Sequence, residues 1–357
     1  MKVEGFNSEK YRTILQKYWH YDDFRSIQLD IIQSIGEGRD TLGLMPTGGG
    51  KSITFQVPAL AVEGVCIVIT PLIALMKDQV ENLRKRGIKA AAIYTGMSRD
   101  NIISTLENCI FGAYRILYVS PERLSSEYFL RKISHAKVSF ITVDEAHCIT
   151  QWGYDFRPSY LQITDFRKLF PDVPVLALTA TATPEVVKDI QLQLGFRQEN
   201  VFRMSFLRPN LAYIVRKPVN RLEDMVYLLH NIEGSAIVYV QTRKNACEIA
   251  EQICSKGISA TYYHAGLDTT EKNKRQEAWK QGEIRTIVAT NAFGMGIDKP
   301  DVRLVIHHEC PTSIEAYFQE AGRAGRDGNK SYSFLLYDNH DRARLLKKIR
   351  TTFPDKE

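Results

Sequence analysis

Short apolar runs alternate with helical patterns along this chain of 357 residues, and the alternation occurs twice. Runs such as VCIVIT (65–70) and VPVLALT (173–179) are almost entirely apolar, as expected for strands buried on both faces of a parallel sheet. Segments between them, such as LIALMKDQVENLRKRG (72–87), carry apolar residues at helical spacing and end in glycine. This pattern predicts an α/β fold in which helices connect parallel strands.

The predicted strands form two series. The first series covers residues 41–45, 65–70, 90–94, 115–120, 139–144 and 175–179, and the second covers 236–240, 260–263, 286–290, 304–308 and 332–336. Between them, Pro209 and Asn210 interrupt the pattern within SFLRPNLAY (205–213). We therefore predict two domains, residues 1–207 and 208–357, each a mostly parallel sheet flanked by helices. Because only about five residues connect them, we expect a cleft between the two domains.

Composition narrows the class of protein. No stretch approaches the roughly 18 consecutive apolar residues of a membrane span, and the first residues, MKVEGFNSEK, lack the apolar run of a secretory signal. We therefore expect a cytosolic protein. None of the six cysteines forms a CxxC pair, so we interpret them as reduced and mostly packed in the core, and we expect no zinc. The net charge of +6 permits a polyanionic partner without establishing one.

The stretch MPTGGGKS (45–52) lies between a predicted strand and a predicted helix, which is the context of a phosphate-binding loop. In such a loop Lys51 would reach the β- and γ-phosphates of a nucleotide, and Ser52 would hold Mg²⁺. The strict pattern has glycine where this chain has Met45, and a glycine-rich turn beside a lysine is the alternative interpretation. The residues assigned to the nucleotide here are Thr47, Gly48, Gly49, Gly50, Lys51 and Ser52.

A second stretch, FITVDEAHC (140–148), runs from a predicted buried strand directly into two carboxylates. Asp144 is suited to bind Mg²⁺, and Glu145 is suited to orient and deprotonate an attacking water. Taken alone, an Asp-Glu pair after a strand is often only a polar helix start. Together with the glycine-rich loop it favours a site that hydrolyses ATP with Mg²⁺.

The tetrad Asp-Glu-Ala-His, together with TGGGKS (47–52) and TATAT (179–183), resembles the superfamily 2 helicases, in which Ala or Met commonly stands at the position of Met45. Further stretches, in order from about residue 15 to 345, resemble the RecQ family of DNA helicases. They are YDDFRSIQ (21–28), TPLIALMKDQV (70–80), SPERL (120–124), DEAHCITQWGYDFRPSY (144–160), YHAGL (263–267), ATNAFGMGIDKPDVR (289–303) and YFQEAGRAGRDG (317–328). The resemblance implies two tandem RecA-like domains with ATP bound between them.

The same resemblance assigns roles toward the nucleotide. It implies that Gln28 reads the adenine edge, that Tyr21 and Arg25 sandwich the adenine ring, and that Asp298 meets the ribose. Glutamine suits the hydrogen-bonding edge of adenine, and arginine and tyrosine suit its faces. For Tyr21 alone, an aromatic beside a polar helix start is the alternative.

For hydrolysis, the resemblance implies that Arg323 and Arg326 are arginine fingers, which reach the γ-phosphate when the cleft closes. A solvated basic helix face is the alternative, but it would not need the flanking Gly322 and Gly325. Gln319 is also expected to line the cleft.

The stretch ITQWGYDFRPSY (149–160) resembles the aromatic-rich loop that couples DNA binding to ATP hydrolysis in RecQ-like enzymes. Exposed aromatics interleaved with arginine suit stacking on single-stranded bases, and we assign Trp152, Phe156 and Arg157 to DNA and Tyr160 to packing. The even spacing of the aromatics also fits a half-buried strand, which is the alternative. Because the loop directly follows the tetrad, DNA bound there would reposition His147 and its neighbouring carboxylate.

Other residues after predicted strands are assigned to the DNA backbone, whose phosphates carry no sequence information. Thr179 and Thr181 resemble the segment that couples the ATP site to the cleft. The residues assigned to DNA phosphates are Ser120, Arg123, Arg243, His264, Thr290 and Asn291.

The function implied is that of an ATP-dependent helicase that moves 3′→5′ along single-stranded DNA and unwinds duplexes in DNA repair and recombination. Two alternatives stay open, an RNA helicase of the DEAD/DEAH type and an ATP-gated nucleic-acid clamp without turnover. We expect a monomer associated with the chromosome, in the nucleus of a eukaryote or in the cytoplasm otherwise. Its partners are single-stranded and tailed duplex DNA, with a single-stranded DNA-binding protein as a further candidate.

One departure from the family concerns the end of the sequence. RecQ proteins usually continue into a four-cysteine zinc module, a winged helix and a small helical domain, whereas this chain ends at TTFPDKE. Either a truncated chain or a minimal homologue would explain this. The resemblance therefore implies ATP hydrolysis and translocation more directly than strand separation.

Overall fold

A computed structural model describes residues 6–151, 155–180, 182–293 and 299–352 of the chain. The chain divides into two compact units, Met1–Phe206 and Leu207–Glu357. The boundary predicted from the sequence lies one residue later.

The first unit contains a parallel sheet of seven strands in the order β3-β4-β2-β5-β6-β1-β7. The strands are β1 Thr41–Leu44, β2 Val65–Ile69, β3 Ala90–Ile93, β4 Ile116–Val119, β5 Val138–Val143, β6 Val175–Thr179 and β7 Val201–Arg203. Six of them were predicted, each within one residue at either end. The sequence pattern missed β7, because this edge strand has three residues and none is fully buried.

Helices cover both faces of this sheet. They are α1 Ser8–Trp19, α2 Gln28–Gly36, α3 Ile53–Ala61, α4 Ile73–Lys85, α5 Arg99–Ile110, α6 Glu127–Ile133, α7 Gln162–Lys168 and α8 Pro184–Gln193. Successive side chains of β2 point to opposite faces, so Ile67 and Ile69 join one apolar cluster while Cys66 and Val68 join the other. The uninterrupted apolar runs of the sequence therefore come from strands with a core on each side.

The second unit repeats this architecture with six parallel strands in the order β10-β11-β9-β12-β13-β8. The strands are β8 Leu211–Arg216, β9 Ser235–Tyr239, β10 Ala260–Tyr263, β11 Thr286–Ala289, β12 Val302–His307 and β13 Ser331–Leu336. The five predicted strands are confirmed within two residues at either end. The sequence interpretation missed β8, because only its first residue is buried and the segment Pro209–Asn210 directly precedes it.

Helices also flank the second sheet. They are α9 Arg221–Asn231, α10 Arg243–Ser255, α11 Thr269–Gln281, α12 Ile314–Ala321 and α13 Asn339–Thr352. Helix α11 is charged along most of its length and is anchored by Trp279, which is fully buried and donates its indole N–H to the Ala236 carbonyl at 3.2 Å. Arg275 adds a hydrogen bond to Thr261 Oγ1 at 2.8 Å and lies over the Tyr262 ring, so these two side chains, rather than an apolar face, hold the helix on the sheet.

The cysteines fit the expectation of a mostly buried set only in part. All six are free; Cys66, Cys109 and Cys148 are buried, whereas Cys254 is exposed.

None of the helices in the described ranges combines the length and the apolar character needed to span a membrane.

Asp40 organises the amino-terminal edge of the first sheet. Its carboxylate accepts hydrogen bonds from the backbone N–H groups of Val175 and Arg197, at 3.0 and 3.2 Å, and from Nη2 of Arg167 at 2.7 Å. Asp40 and Arg167 are both nearly inaccessible to solvent. Because a buried ion pair is costly to break on one side only, this carboxylate determines how the loops before β1 and β6 are joined.

We expect Asp40→Ala to lower the free energy of unfolding by about 3–5 kcal/mol, because it leaves a guanidinium and two amides without their acceptor. Urea denaturation followed by circular dichroism measures the change. Asp165→Ala is the matched control, since Asp165 pairs with Lys168 in a fully solvated setting, and the loss there should stay within about 0.5 kcal/mol. Equal losses in the two variants would contradict the role of Asp40.

Candidate active site

The glycine-rich loop lies at the carboxyl edge of the first sheet, between β1 and α3, where open parallel sheets bind their ligands. Met45 is fully buried, belongs to one apolar cluster of this unit and donates its N–H to the Thr179 carbonyl at 3.0 Å. At this position the side chain therefore serves the core. The unusual residue in the pattern anchors the loop to β6.

The three glycines of the loop are required by its conformation. Gly48 and Gly50 have positive φ angles of 82° and 76°. A Cβ atom on Gly49 would lie 2.9 Å from the Pro46 carbonyl oxygen, and one on Gly50 would lie 2.3 Å from Nε2 of Gln28. A side chain at Gly49 would clash with the backbone of the loop, and one at Gly50 would displace the end of Gln28, so glycine at these positions lets the amides of the loop approach a phosphate closely.

Gln28 is the first residue of α2 and is buried against this loop. Its Nε2 donates to the carbonyls of Gly49 and Gly50 at 3.3 and 3.1 Å, and its Oε1 accepts the N–H of Arg25 at 2.8 Å. The amide predicted to read adenine thus has partners at both ends.

Tyr21 and Arg25 lie close to Gln28 in the sequence and contact each other. The guanidinium of Arg25 lies 5.6 Å from the centre of the Tyr21 ring, and both side chains are exposed. The two groups predicted to sandwich a base are therefore stacked on one another, and a base would have to insert between them.

Asp144 and Glu145 follow β5, which lies two positions from β1 in the sheet, so their carboxylates meet the phosphate loop at the same edge. Lys51 Nζ lies 3.8 Å from Oε1 of Glu145, and both side chains are largely buried. Thr70, after β2, donates to Oδ2 of Asp144 at 3.4 Å. The predicted lysine and the predicted acid–base pair therefore form one charge cluster.

Burial raises the pKa of Asp144 to about 6, with the negative charge of Glu145 acting in the same direction. Lys51 and the N–H of Glu145, 3.0 Å from Oδ1, lower the pKa in opposition. The backbone of Glu145 is left-handed, with φ 48° and ψ 47°, which is uncommon outside glycine. Such conformations cluster at functional sites because the surrounding structure must hold them.

His147 occupies the short 3₁₀ helix Ala146–Ile149 and is almost fully buried. Its Nδ1 lies 2.8 Å from Oγ1 of Thr179 at the end of β6 and 3.5 Å from Oε2 of Glu145. Burial lowers the pKa of this histidine, which the carboxylate of Glu145 partly offsets. A neutral imidazole thus connects the tetrad to the strand that precedes TATAT; Thr181 of that segment lies outside the described residues.

The aromatic-rich loop returns to the tetrad at Asp155. Arg157 donates its backbone N–H to the Cys148 carbonyl at 2.9 Å, and its guanidinium pairs with Asp155 at 3.0 Å. Tyr160, which we assigned to packing, is fully buried and donates its hydroxyl to the Asp144 carbonyl at 2.9 Å. Phe156 is half-buried, and Trp152 lies outside the described residues. The loop is therefore fastened at its far end to the backbone of the catalytic tetrad.

Two further residues of this unit were assigned to DNA phosphates. Ser120 is 1% exposed, so its hydroxyl does not face solvent in this conformation. Arg123 donates to the Tyr94 carbonyl through Nε and Nη2, at 3.2 and 3.0 Å.

In the second unit, Arg323 and Arg326 follow α12. Arg323 is 4% exposed and lies close to the hydroxyl of Tyr239, which donates to the Phe293 carbonyl at 2.8 Å; burial raises the pKa of Tyr239 and the charge of Arg323 opposes this. Arg326 and Gln319 are half-buried. Tyr239, at the end of β9, therefore connects the arginine segment to the segment after β11, and no sequence motif pointed to it.

Sequence reasoning also missed the support of this arginine segment. Arg208 Nη2 donates to the carbonyls of Ala324 and Gly325, at 2.9 and 2.7 Å, and Asn210 Nδ2 donates to the Gly325 carbonyl at 2.7 Å. A Cβ atom on Gly325, which has a φ of 63°, would lie 2.5 Å from Asn210 Nδ2. The RPN stretch, interpreted as an interruption between domains, shapes the loop that carries the predicted fingers.

The other candidates of the second unit lie after the strands β9, β10 and β11. Arg243 is exposed, and its Nη1 would lie 2.8 Å from a Cβ atom on Gly266 of the YHAGL segment. Burial, together with Arg243 and other cations, lowers the pKa of His264. Thr290 is nearly buried and Asn291 is exposed, and Asp298 lies outside the described residues.

Two family models match separate parts of the chain. The DEAD/DEAH box helicase family matches residues 25–190, and the helicase conserved C-terminal domain matches residues 218–328. The fold is similar to that of the Mycobacterium smegmatis helicase Lhr bound to ssDNA and AMP-PNP, with a TM-score of 0.75 and 22% identity, covering 96% of this chain and 50% of that one.

Curated relatives are considerably closer in sequence. The chain is 45% identical to ATP-dependent DNA helicase RecQ of Bacillus subtilis, covering 92% of this chain and 56% of the relative. It is 42% identical to ATP-dependent DNA helicase RecQ of Pasteurella multocida, covering 94% and 53%. The chain thus spans about half the length of these relatives. Its two RecA-like units and its sequence place it in the RecQ family of superfamily 2 helicases.

Proposed function

We propose that this chain is the catalytic core of an ATP-dependent DNA helicase that moves 3′→5′ along single-stranded DNA. The observation that carries the proposal is the cluster of Lys51, Asp144 and Glu145. His147 connects this cluster to Thr179. The backbone directly after His147 is hydrogen-bonded to the aromatic-rich loop. A nucleotide-hydrolysing group and a nucleic-acid loop so connected are what coupling of hydrolysis to movement requires.

Within this proposal the protein groups have separate tasks in hydrolysis. The amides of the glycine loop and Lys51 bind the phosphates, and Glu145 accepts a proton from the attacking water. Arg323 and Arg326 supply positive charge to the phosphoryl group in the transition state, a role worth roughly 10³–10⁵ in rate. Gln28, Tyr21 and Arg25 bind adenine, with Asp298 at the ribose.

The residues at this edge of the sheet fit Mg²⁺. Asp144 is a buried carboxylate beside a second one; burial, and then the negative charge of Glu145, raise its pKa, so a nearby cation would stabilise its ionised form. Ser52 supplies a hydroxyl at the start of α3. Ser52 and Asp144 would hold Mg²⁺, which would supply positive charge to the phosphates.

The DNA side of the proposal uses the loop and the strand ends. Trp152 and Phe156 stack on bases, Arg157 binds a phosphate, and the assigned residues from Ser120 to Asn291 contact the backbone. Because phosphate contacts do not read sequence, the enzyme would act on any single strand and on tailed duplexes. We further propose a monomer that works on chromosomal DNA in repair and recombination, with a single-stranded DNA-binding protein as a candidate partner.

Activity assays test this proposal directly. Phosphate release should rise on adding single-stranded DNA and respond much less to single-stranded RNA, and 3′-tailed duplexes should be unwound in preference to 5′-tailed ones. Lys51→Ala should abolish turnover with an unchanged circular dichroism spectrum, because the phosphates lose their cation, whereas Lys137→Ala, at an exposed surface pair, should behave as wild type. Retained turnover in Lys51→Ala would refute the site. Stronger stimulation by RNA than by DNA would favour an RNA helicase. Binding of nucleic acid without ATP turnover would favour a clamp.

The loop has its own test. We expect Trp152→Ala to leave basal ATP hydrolysis intact and to reduce stimulation by single-stranded DNA at least tenfold, because stacking is worth about 1–3 kcal/mol per base. Phe111→Ala is the matched control, since Phe111 is 86% exposed and follows α5 at the opposite edge of the sheet. Undiminished stimulation in Trp152→Ala would exclude the coupling role.

The charge of Asp144 gives a prediction about pH. Its pKa is raised by folding, so the native state holds the proton more tightly, and stability falls as pH rises from about 4 to 6 and then levels off. Asp144→Asn removes this penalty, and we expect it to raise the free energy of unfolding at pH 8 by about 2 kcal/mol, with little gain near pH 4. Urea denaturation without nucleotide or metal measures both. A gain that does not depend on pH would contradict the assignment.

A further inference from the structure

Three side chains capable of binding a metal meet beside the candidate active site. His147, Cys148 and Asp155 bring one nitrogen, one sulfur and one carboxylate oxygen within 4.8 Å of one another. The sulfur of Cys148 lies 3.8 Å from Oδ2 of Asp155. In the part of the chain that the structure describes, no other group of three such side chains comes this close.

These distances suit a tetrahedral cation. Zinc binds sulfur at about 2.3 Å and nitrogen or oxygen at about 2.0–2.2 Å, which places neighbouring ligand atoms roughly 3.5 Å apart. The separation between Cys148 and Asp155 therefore needs to shrink by only a few tenths of an ångström, and the widest separation in the group, up to 4.8 Å, by roughly one ångström. Three protein ligands leave a fourth position for water, as in open zinc sites.

The surroundings of the three ligands are already ordered. Nδ1 of His147 contacts the Thr179 hydroxyl at 2.8 Å, and a second polar contact of this kind orients a ligating imidazole. The Cys148 carbonyl accepts the N–H of Arg157, which fixes the loop beside the sulfur. His147 and Cys148 are buried while the side chain of Asp155 is 30% exposed, so a cation would enter from the side of Asp155.

We propose that His147, Cys148 and Asp155 form an inhibitory site for a divalent cation of the zinc class. On binding, the Cys148 thiol gives its proton to solvent and its sulfur joins the metal, the imidazole supplies a nitrogen lone pair, and the Asp155 carboxylate exchanges Arg157 for the metal. Mg²⁺ does not compete, because it prefers oxygen ligands in octahedral geometry.

Two features set the strength of this site. Burial raises the pKa of the Cys148 thiol, so metal binding must displace a tightly held proton and weakens as pH falls. Arg157 also holds Asp155 at 3.0 Å and must be released. The site is therefore empty at low metal concentration, which distinguishes it from a structural zinc site, and it contains no CxxC pair that a sequence search would find.

The inhibition rests on the proposed function, whereas the metal binding does not. A cation at this position would tie the tetrad to Asp155 and so restrain the carboxyl-terminal end of the aromatic-rich loop, which the proposed function assigns to DNA. Stimulation of hydrolysis by DNA would then fall, while the phosphate loop itself would be untouched.

Absorption spectroscopy of the full chain with Co²⁺ tests the binding. After treatment with a chelator, Co²⁺ should produce a thiolate charge-transfer band and the d–d bands of tetrahedral cobalt, saturating at one equivalent, releasing a proton and disappearing when Zn²⁺ is added. Cys148→Ser should abolish the charge-transfer band, and Asp155→Asn should weaken Co²⁺ binding at least tenfold. Cys254→Ser, which changes an exposed cysteine in the second unit, should leave the spectrum unchanged.

Several outcomes would overturn the proposal. These are the absence of a band at saturating Co²⁺, a band that survives Cys148→Ser, and a band that depends on Cys247, whose sulfur lies 3.8 Å from Nε2 of His264. Asp155→Asn keeps the test decisive even if Cys148→Ser fails to fold, because Asp155 is partly exposed.

Activity supplies a separate measurement. With Mg²⁺ in excess, Zn²⁺ should reduce DNA-stimulated phosphate release of the wild type and of Cys254→Ser, and a chelator should restore it. Asp155→Asn should need at least tenfold more Zn²⁺ for the same inhibition. Cobalt bands without any DNA-stimulated hydrolysis would retain the metal site and reject the proposed function. Inhibition that is equal in wild type and Asp155→Asn would reject the inhibitory role.

Discussion

A buried cluster of three charges is the constraint on which the first unit depends. Lys51, Asp144 and Glu145 lie where water is largely excluded, and the positive charge of Lys51 partly offsets the burial of two neighbouring carboxylates and their mutual repulsion. Their positions follow from the sheet, because β1 and β5 run parallel and deliver the loops after them to one edge. A displacement of β1 or β5 would leave a buried charge without its partner. The free energy that this would cost opposes any shift of these strands.

The architecture was predictable because parallel strands that are buried on both faces appear in the sequence as uninterrupted apolar runs. Edge strands do not show this signal, and β7 and β8 were missed for this reason: β7 is short and only partly buried, and β8 exposes half of its residues. Met45 shows a different limit. A motif gives the residue types of a loop, but only the structure shows that this side chain belongs to the core.

Site residues were predictable where the chemistry is local and far less so where it is shared. Lys51, Asp144 and Glu145 each follow a strand within a recognisable stretch, and the fold brings them together. By contrast, Tyr239, Arg208 and Asn210 act on the arginine segment across long sequence separations. The residues next to them in the sequence do not indicate a role, because hydrogen bonds to distant carbonyls produce no periodic pattern of residue types. The RPN stretch was thus interpreted as a break between domains although it supports a loop more than a hundred residues away.

The position of Gln28 has a consequence for how nucleotide affinity is set. Its amide already has partners at both ends, two carbonyls of the glycine loop and the N–H of Arg25. If the same amide recognises the base, nucleotide binding is an exchange reaction, in which one set of hydrogen bonds is surrendered as another forms. The observed affinity then measures a difference between two sets. A base with a poorly matched edge would be disfavoured chiefly because the loop loses a partner that this base does not replace.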